Sequence, residues 1–252
     1  MEHRPPLHVL VYGDPGSRKS TFAATFPKPM IVFFFDQVGM DLPYLRCGTP
    51  TDLAVYPGKS FLYRDVLDDD GTVLIRLQYF ADMNPHDPWG YRNFLNRLQD
   101  FYKEVYEWQT AVVDSVTMLE LAARYNERFY LNKNAKDPRQ WWAGSTDALE
   151  QALMSSFGAM QINVVVVAHA SEDKDEVNGT FVRTIRAPGR MSKGSAAGYP
   201  ETYRAYVPKE RDADGNPQYW LQTQPDGLWI AKTAIGAPNP SWGHYDSLWP
   251  DA

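Results

Sequence analysis

With 252 residues, 44% of them hydrophobic, and a formal net charge of −6, the chain has the apolar content for one sizeable domain with a real core. The acidic balance excludes a surface that is basic throughout, so contact with nucleic acid requires a local basic patch. Cys47 is the single cysteine, which excludes a disulfide framework and a cysteine-based zinc site. No apolar run reaches bilayer-spanning length and MEHRPP lacks a signal-peptide core, so no membrane association and a cytoplasmic location are expected.

Leu7 to Thr21, LHVLVYGDPGSRKST, organises the chain. Leu7 and Val9 to Tyr12 form an apolar run that predicts an inner strand. Gly13-Asp14-Pro15-Gly16 breaks it, and after Ser17 and Arg18 the Lys19-Ser20-Thr21 triplet opens a short helical segment. Strand, loop, Lys-Ser, helix is the context of a phosphate-binding loop. Backbone N–H groups of Gly13 to Thr21 would then face an anion. Lys19 would reach the β- and γ-phosphates of ATP, and the Ser20 hydroxyl would take a position on Mg²⁺. Arg18 stands where the G-x-x-x-x-G-K-[ST] pattern has glycine. A solvated turn is the plain alternative.

Pro29 to Phe35 reads as a strand buried on both faces and closed by Asp36, a candidate for orienting water or holding Mg²⁺, or simply a cap on the next turn. Residues 40 to 60 are expected to be irregular. Phe61 to Leu67 and Thr72 to Phe80 predict a hairpin around an Asp-Gly turn, where Asp68 to Asp70 read as solvated turn residues. Apolar residues at helical spacing predict helices over Trp89 to Glu107 and Val116 to Leu131. Between them Thr110 to Asp114 is a strand whose terminal carboxylate is placed to hold Mg²⁺ through water.

Trp141 and Trp142 are expected either to anchor a polar loop or to stack a base. A third helix, from Ser145 as N-cap to Gln161, follows. Ile162 to Ala168 predicts the most apolar strand, with His169 at its end as a γ-phosphate sensor or a backbone cap. Asp173 to Ile185 resembles a second hairpin, with Asn178-Gly179 as its turn. From Val177 to Pro200 the chain carries Arg183, Arg186, Arg190 and Lys193 and no acid, which predicts a basic loop for single-stranded nucleic acid or an ordinary solvated one. Tyr203 to Val207, Tyr219 to Thr223 and Leu228 to Lys232 read as short strands, ahead of an irregular, aromatic-rich tail.

The series GDPGSRKST, IVFFFDQVG, AVVDSVTML, VVVVAHA and IAKTAIG resembles the RecA-like core ATPases, and most closely the short phage-encoded RecA-fold ATPases that accompany single-strand annealing recombination. The resemblance implies an α/β fold with a mostly parallel central sheet flanked by helices, hairpin insertions and a C-terminal antiparallel extension. It implies one ATPase domain over 1–236, with an insertion near 61–80, the basic loop at 177–200, and a tail over 237–252. It matches Lys19, Ser20 and Thr21 to the phosphate loop, Asp114 to the acid on the Mg²⁺ waters, His169 to the polar sensor, and Lys232 to a conserved-pattern lysine near the last strand. The implied partners are ATP with Mg²⁺, single-stranded DNA, further copies in a ring or filament, and a single-strand annealing or binding protein.

Three positions depart from the pattern: Arg18, Gln37-Val38 where a catalytic glutamate is usual, and Ala234 where an arginine is usual. They imply that Asp36 serves as the water-orienting acid and that hydrolysis is slow. The rival expectations are a nucleotide-gated DNA-binding module with little hydrolysis and a metal-dependent nuclease using Asp36 and Asp114.

Overall fold

Runs such as MIVFF and VVVVA, with no alternation of apolar and polar residues, form strands only where both faces of a sheet are covered. The computed structural model describes residues 6–81, 84, 86–174, 181–186, 199, 201–207, 211, 213–215, 217–222 and 236–238, and these runs lie at its centre. Strands β1 (His8–Gly13), β2 (Met30–Phe34), β6 (Val73–Tyr79), β7 (Thr110–Asp114), β8 (Asn163–Lys174) and β10 (Glu201–Tyr206) form a parallel array in the order β10-β1-β8-β7-β2-β6. The short strands β11 (Trp220–Gln222) and β12 (Gly236–Pro238) extend it antiparallel beyond β10. At the far edge β5 (Leu62–Leu67) pairs antiparallel with β6, and the two-residue strands β3 (Thr49–Pro50) and β4 (Ala54–Val55) pair with β5. This mostly parallel sheet with an antiparallel C-terminal side is the fold class expected from the sequence.

Successive residues of the inner strands alternate between two cores. Leu10, Tyr12, Ile31, Phe33, Ala111, Val113, Val164 and Val166 face one side, together with Phe94, Leu98 and Phe101 of α3 (Gly90–Glu104), Leu119 of α4 (Val116–Asn126) and Leu149 of α5 (Pro138–Glu150). Val9, Val11, Met30, Val32, Phe34, Val112 and Val165 face the other, with Phe22 of α1 (Lys19–Ala23) and Tyr44 of α2 (Leu42–Leu45). Phe33 alone meets the rings of Phe80, Phe94, Phe101 and Phe157. Such a centre resists any shift of β2 against α3.

Several elements differ from expectation. The first hairpin forms, but its second strand, β6, also pairs parallel with β2, so it is a member of the main sheet. The helix read as starting at Ser145 begins at Pro138: Asp137 accepts the Arg139 amide as N-cap, while Ser145 is buried inside the helix and donates to the Trp142 carbonyl. Trp141 Nε1 donates to the Asn132 carbonyl and fastens the connection ahead of the helix, while Arg124 of α4 lies over the Trp142 ring and ties the two helices. Gly236–Pro238 is a strand where the irregular tail was expected to start. The residues read as a strand over Leu228 to Lys232 lie outside the described ones.

β8 also runs further than its apolar stretch. It continues past Ala168 to Lys174 by pairing antiparallel with β9 (Phe181–Arg186). His169 is therefore inside a strand rather than at a strand tip. Arg183 and Arg186 lie on β9 instead of a loop, because the β-branched residues Val182, Thr184 and Ile185 favour a ladder with the extension of β8.

Candidate functional site

The carboxyl ends of β1, β7 and β2 lie at one edge of the sheet, where open α/β folds bind ligands. Gly13, the last residue of β1, is level with His169 of β8, and Asp114 is level with Val167 of β8 and with Phe34 of β2. The loop from Asp14 to Arg18 leaves β1 at this edge. A side chain at Gly13 would drive its Cβ into the Ala205 carbonyl oxygen of β10, so only glycine lets the loop depart so close to that strand. Gly16 has φ +79°, the left-handed conformation that glycine adopts without steric cost.

Arg18 takes φ 62° and ψ 29°, also left-handed. The G-x-x-x-x-G-K-[ST] pattern has glycine here, and this chain adopts a left-handed conformation while carrying a side chain, at a cost of about 1–2 kcal/mol. The guanidinium does not turn into the loop. It lies over the ring of Tyr219, 3.6 Å from the ring centroid.

Lys19 is buried, and its Nζ donates to the Asp14 carbonyl at 2.8 Å and to Ser17 Oγ at 3.5 Å. Burial lowers its pKa, against the opposing fields of Asp114, Asp14 and Asp36. Ser20, one residue on, donates its hydroxyl to Asp114 and also lies in hydrogen-bonding contact with the Tyr44 hydroxyl. Tyr44 Oη donates to Asp114 Oδ2 at 2.7 Å, and the ring of Tyr44 is fully buried against Phe34. Burial raises the Asp114 pKa; the bonds from Ser20 and Tyr44 oppose this, Asp36 adds to it, and Lys19 opposes it. The phenol of Tyr44 is pushed well up, first by its own burial and then by Asp114.

Asp36 follows β2 and is bonded by the Ser115 hydroxyl; burial raises its pKa, against that bond and Lys19. The Ser115 side chain also caps α4 by accepting the Met118 amide. His169 donates its backbone N–H to Thr117 Oγ1 at 2.9 Å, which ties β8 to the start of α4.

The structure thus brings Lys19, Ser20, Asp36 and Asp114 into one electrostatic group, with His169 level with the first residue of the loop. Arg190, Lys193 and Lys232 lie outside the described residues. The donor set at the centre is a hydroxyl and a carboxylate, hard oxygen ligands that suit Mg²⁺, and burial leaves the carboxylate short of compensating positive charge. Neither Tyr44 nor its neighbour Asp41 was singled out in the sequence. Asp41 is buried, accepts the Gly39 amide and the Tyr79 hydroxyl, and anchors the turn that presents Tyr44. Both lie in the stretch read as irregular, and no motif marks them.

A family model described as an AAA domain matches residues 5–234. Among solved structures, the chain is similar to the crystal structure of a KaiC-like protein from the hyperthermophilic archaeon Pyrococcus horikoshii OT3, at 12% identity and a TM-score of 0.46, over 93% of this chain and 85% of that one. No curated protein matches the chain. Among the described residues, no helix is long and apolar enough to cross a membrane.

Proposed function

The chain belongs to the AAA domain family and is a nucleotide-binding P-loop ATPase, and from that premise we propose that it hydrolyses Mg²⁺-bound ATP while acting on single-stranded DNA in phage recombination or replication. The observation that carries the nucleotide part is the contact of Ser20 with Asp114 beside the buried amine of Lys19. Lys19 and the loop amides would bind the β- and γ-phosphates. Ser20 would hold Mg²⁺ directly and Asp114 through water, and the ion would neutralise charge on the phosphates. Asp36 would orient the attacking water, and His169 would sense the γ-phosphate. Catalysis by such a set rests on positioning and charge. With aspartate in place of the usual glutamate, and without the usual arginine at Ala234, slow turnover is expected.

The DNA part is supported by the course of β9. Arg186 stands opposite His169 in the β8–β9 ladder and Arg183 opposite Glu172, so the basic segment reaches the sensor position at Arg186. A change felt at His169 would reach residues suited to phosphate contacts.

The test compares wild type with Lys19→Ala and with a variant in which the four basic residues are alanine. Lys19→Ala is expected to abolish ATP turnover and the nucleotide-dependent part of single-strand binding. The four-alanine variant is expected to lower the slope of log affinity against log salt by roughly 3, at about 0.7 per contact. Unchanged turnover in Lys19→Ala overturns the ATPase assignment of these residues, and an unchanged salt slope removes β9 and its following segment from DNA contact.

A further inference from the structure

Beside the phosphate loop lies a cleft. Its lining includes Ser17, Arg18 and Thr21, Ala205 of β10, and Tyr219 and Trp220 of the β11 segment. Both aromatic residues are half-buried, while Arg18 is exposed. The cleft therefore combines polar groups of the loop with flat aromatic carbon, the composition of a site for a planar, weakly polar ring attached to something charged.

Arg18 marks how that ring face is used. Its guanidinium sits 3.6 Å from the Tyr219 centroid, the spacing of one stacked plane on another. The backbone that presents it is held left-handed at φ 62°, an uncommon conformation for a residue with a long side chain and one that tends to persist where surrounding structure fixes it for function. The planar cation thus covers a tyrosine face that adjoins the phosphate loop.

We propose that this cleft is the base-and-ribose subsite for the nucleotide, that Tyr219 is the ring on which the nucleobase stacks, and that Arg18 covers the ring until the base displaces it. The proposal rests on the reading of Gly13 to Thr21 as a nucleotide phosphate loop. Base–aromatic stacking is generally worth more than an exposed cation–π contact, so the exchange favours the base. The displaced guanidinium is then free on the phosphate side of the cleft. Arg18 becomes a competitor for the base as well as an occupant of the glycine position.

Calorimetric titration of the full chain with MgATP and with magnesium tripolyphosphate, which has the phosphates but no base, tests this. Tyr219→Ala is expected to weaken ATP binding roughly 2- to 30-fold, the stacking less the cation–π contact it replaces, and to leave tripolyphosphate binding unchanged. Tyr219→Phe is expected to keep wild-type ATP affinity, and Tyr219→Leu, which keeps bulk without a π-face, to show the same selective loss as alanine. Arg18→Gly, by removing the competitor, is expected to tighten ATP binding roughly 2- to 5-fold with no tightening of tripolyphosphate. If wild type binds both ligands and the tyrosine variants lose both equally, or neither, the base subsite is wrong while the phosphate loop stands. Weaker ATP binding by Arg18→Gly overturns the competition. If wild type binds neither ligand, the nucleotide reading of the loop fails and the subsite falls with it.

Discussion

Replacing Tyr44 by phenylalanine removes one of the two hydroxyls bonded to the buried carboxylate of Asp114 and leaves that of Ser20. Phenylalanine keeps the ring and its edge-on contact with Phe34, whose centroid is 6.4 Å away, so no cavity of consequence is created. What is lost is the donor 2.7 Å from Asp114 Oδ2. A hydrogen bond to a charged group contributes about 1.5–3 kcal/mol. For a chain of this size each kcal/mol moves the melting temperature by about 2–4 °C, so a fall of roughly 3–12 °C is expected near neutral pH. The effect depends on pH in a definite direction. The Tyr44 bond holds the Asp114 pKa down against burial, so its contribution is present while the carboxylate is charged and is lost as pH falls through the Asp114 pKa, which lies above the ordinary 3.8. Below that point only a neutral bond of about 0.5–1.5 kcal/mol separates the two proteins. In the Asp114→Asn background the same substitution is expected to show the small difference at every pH. Thermal melts of the four proteins across pH complete the cycle. Equal melting temperatures at neutral pH, or a difference that ignores both pH and Asp114→Asn, would refute the idea that Tyr44 acts on the charge of Asp114.

Asp114→Asn itself is expected to melt higher than wild type at neutral pH in metal-free buffer. The raised pKa means that the carboxylate's environment favours its neutral form, so stability is fullest below the unfolded-state pKa and declines as pH rises through the folded one. The same variant is expected to lose Mg²⁺-dependent ATP binding, measured by titration with and without the ion. Gly13→Ala is expected to destabilise by about 1–3 kcal/mol, because the new methyl meets the backbone of β10 and strand pairing must shift. Gly16→Ala, where nothing lies within 4 Å, meets only the left-handed strain and is expected to cost about 1–2 kcal/mol; a larger loss for Gly16→Ala than for Gly13→Ala in denaturant titrations would contradict the distinction between a clash and a dihedral.

The inner strands were legible because a sheet covered on both faces demands uninterrupted apolar runs, and β1, β2, β7 and the first half of β8 carry them. Lys19, Ser20 and Asp114 were legible because their spacing relative to those runs is local: Asp114 ends β7, and Lys19 and Ser20 open the helix that follows β1. Tyr44 was not, since its importance lies wholly in a contact across 70 positions of sequence, made from a short turn with no periodic pattern. The start of α5 was misplaced because Ser145 and Asp137 are both acceptable caps, and only Pro138 at the first helical position decides between them. The length of β8 was hidden because its second half is held by one antiparallel neighbour and needs no apolar run. Arg18 looked like a blemish in a glycine pattern, and its sequence said nothing of Tyr219, which approaches from the far end of the chain.

β8 is one unbroken strand from the floor of the sheet to Lys174, and from Ala170 onward it stands clear of its parallel neighbours for roughly 16 Å at about 3.3 Å per residue. A strand of this kind contains no slack in which a displacement can dissipate. A tilt of β8 near His169 would therefore be carried to the β9 residues laddered along its outer half.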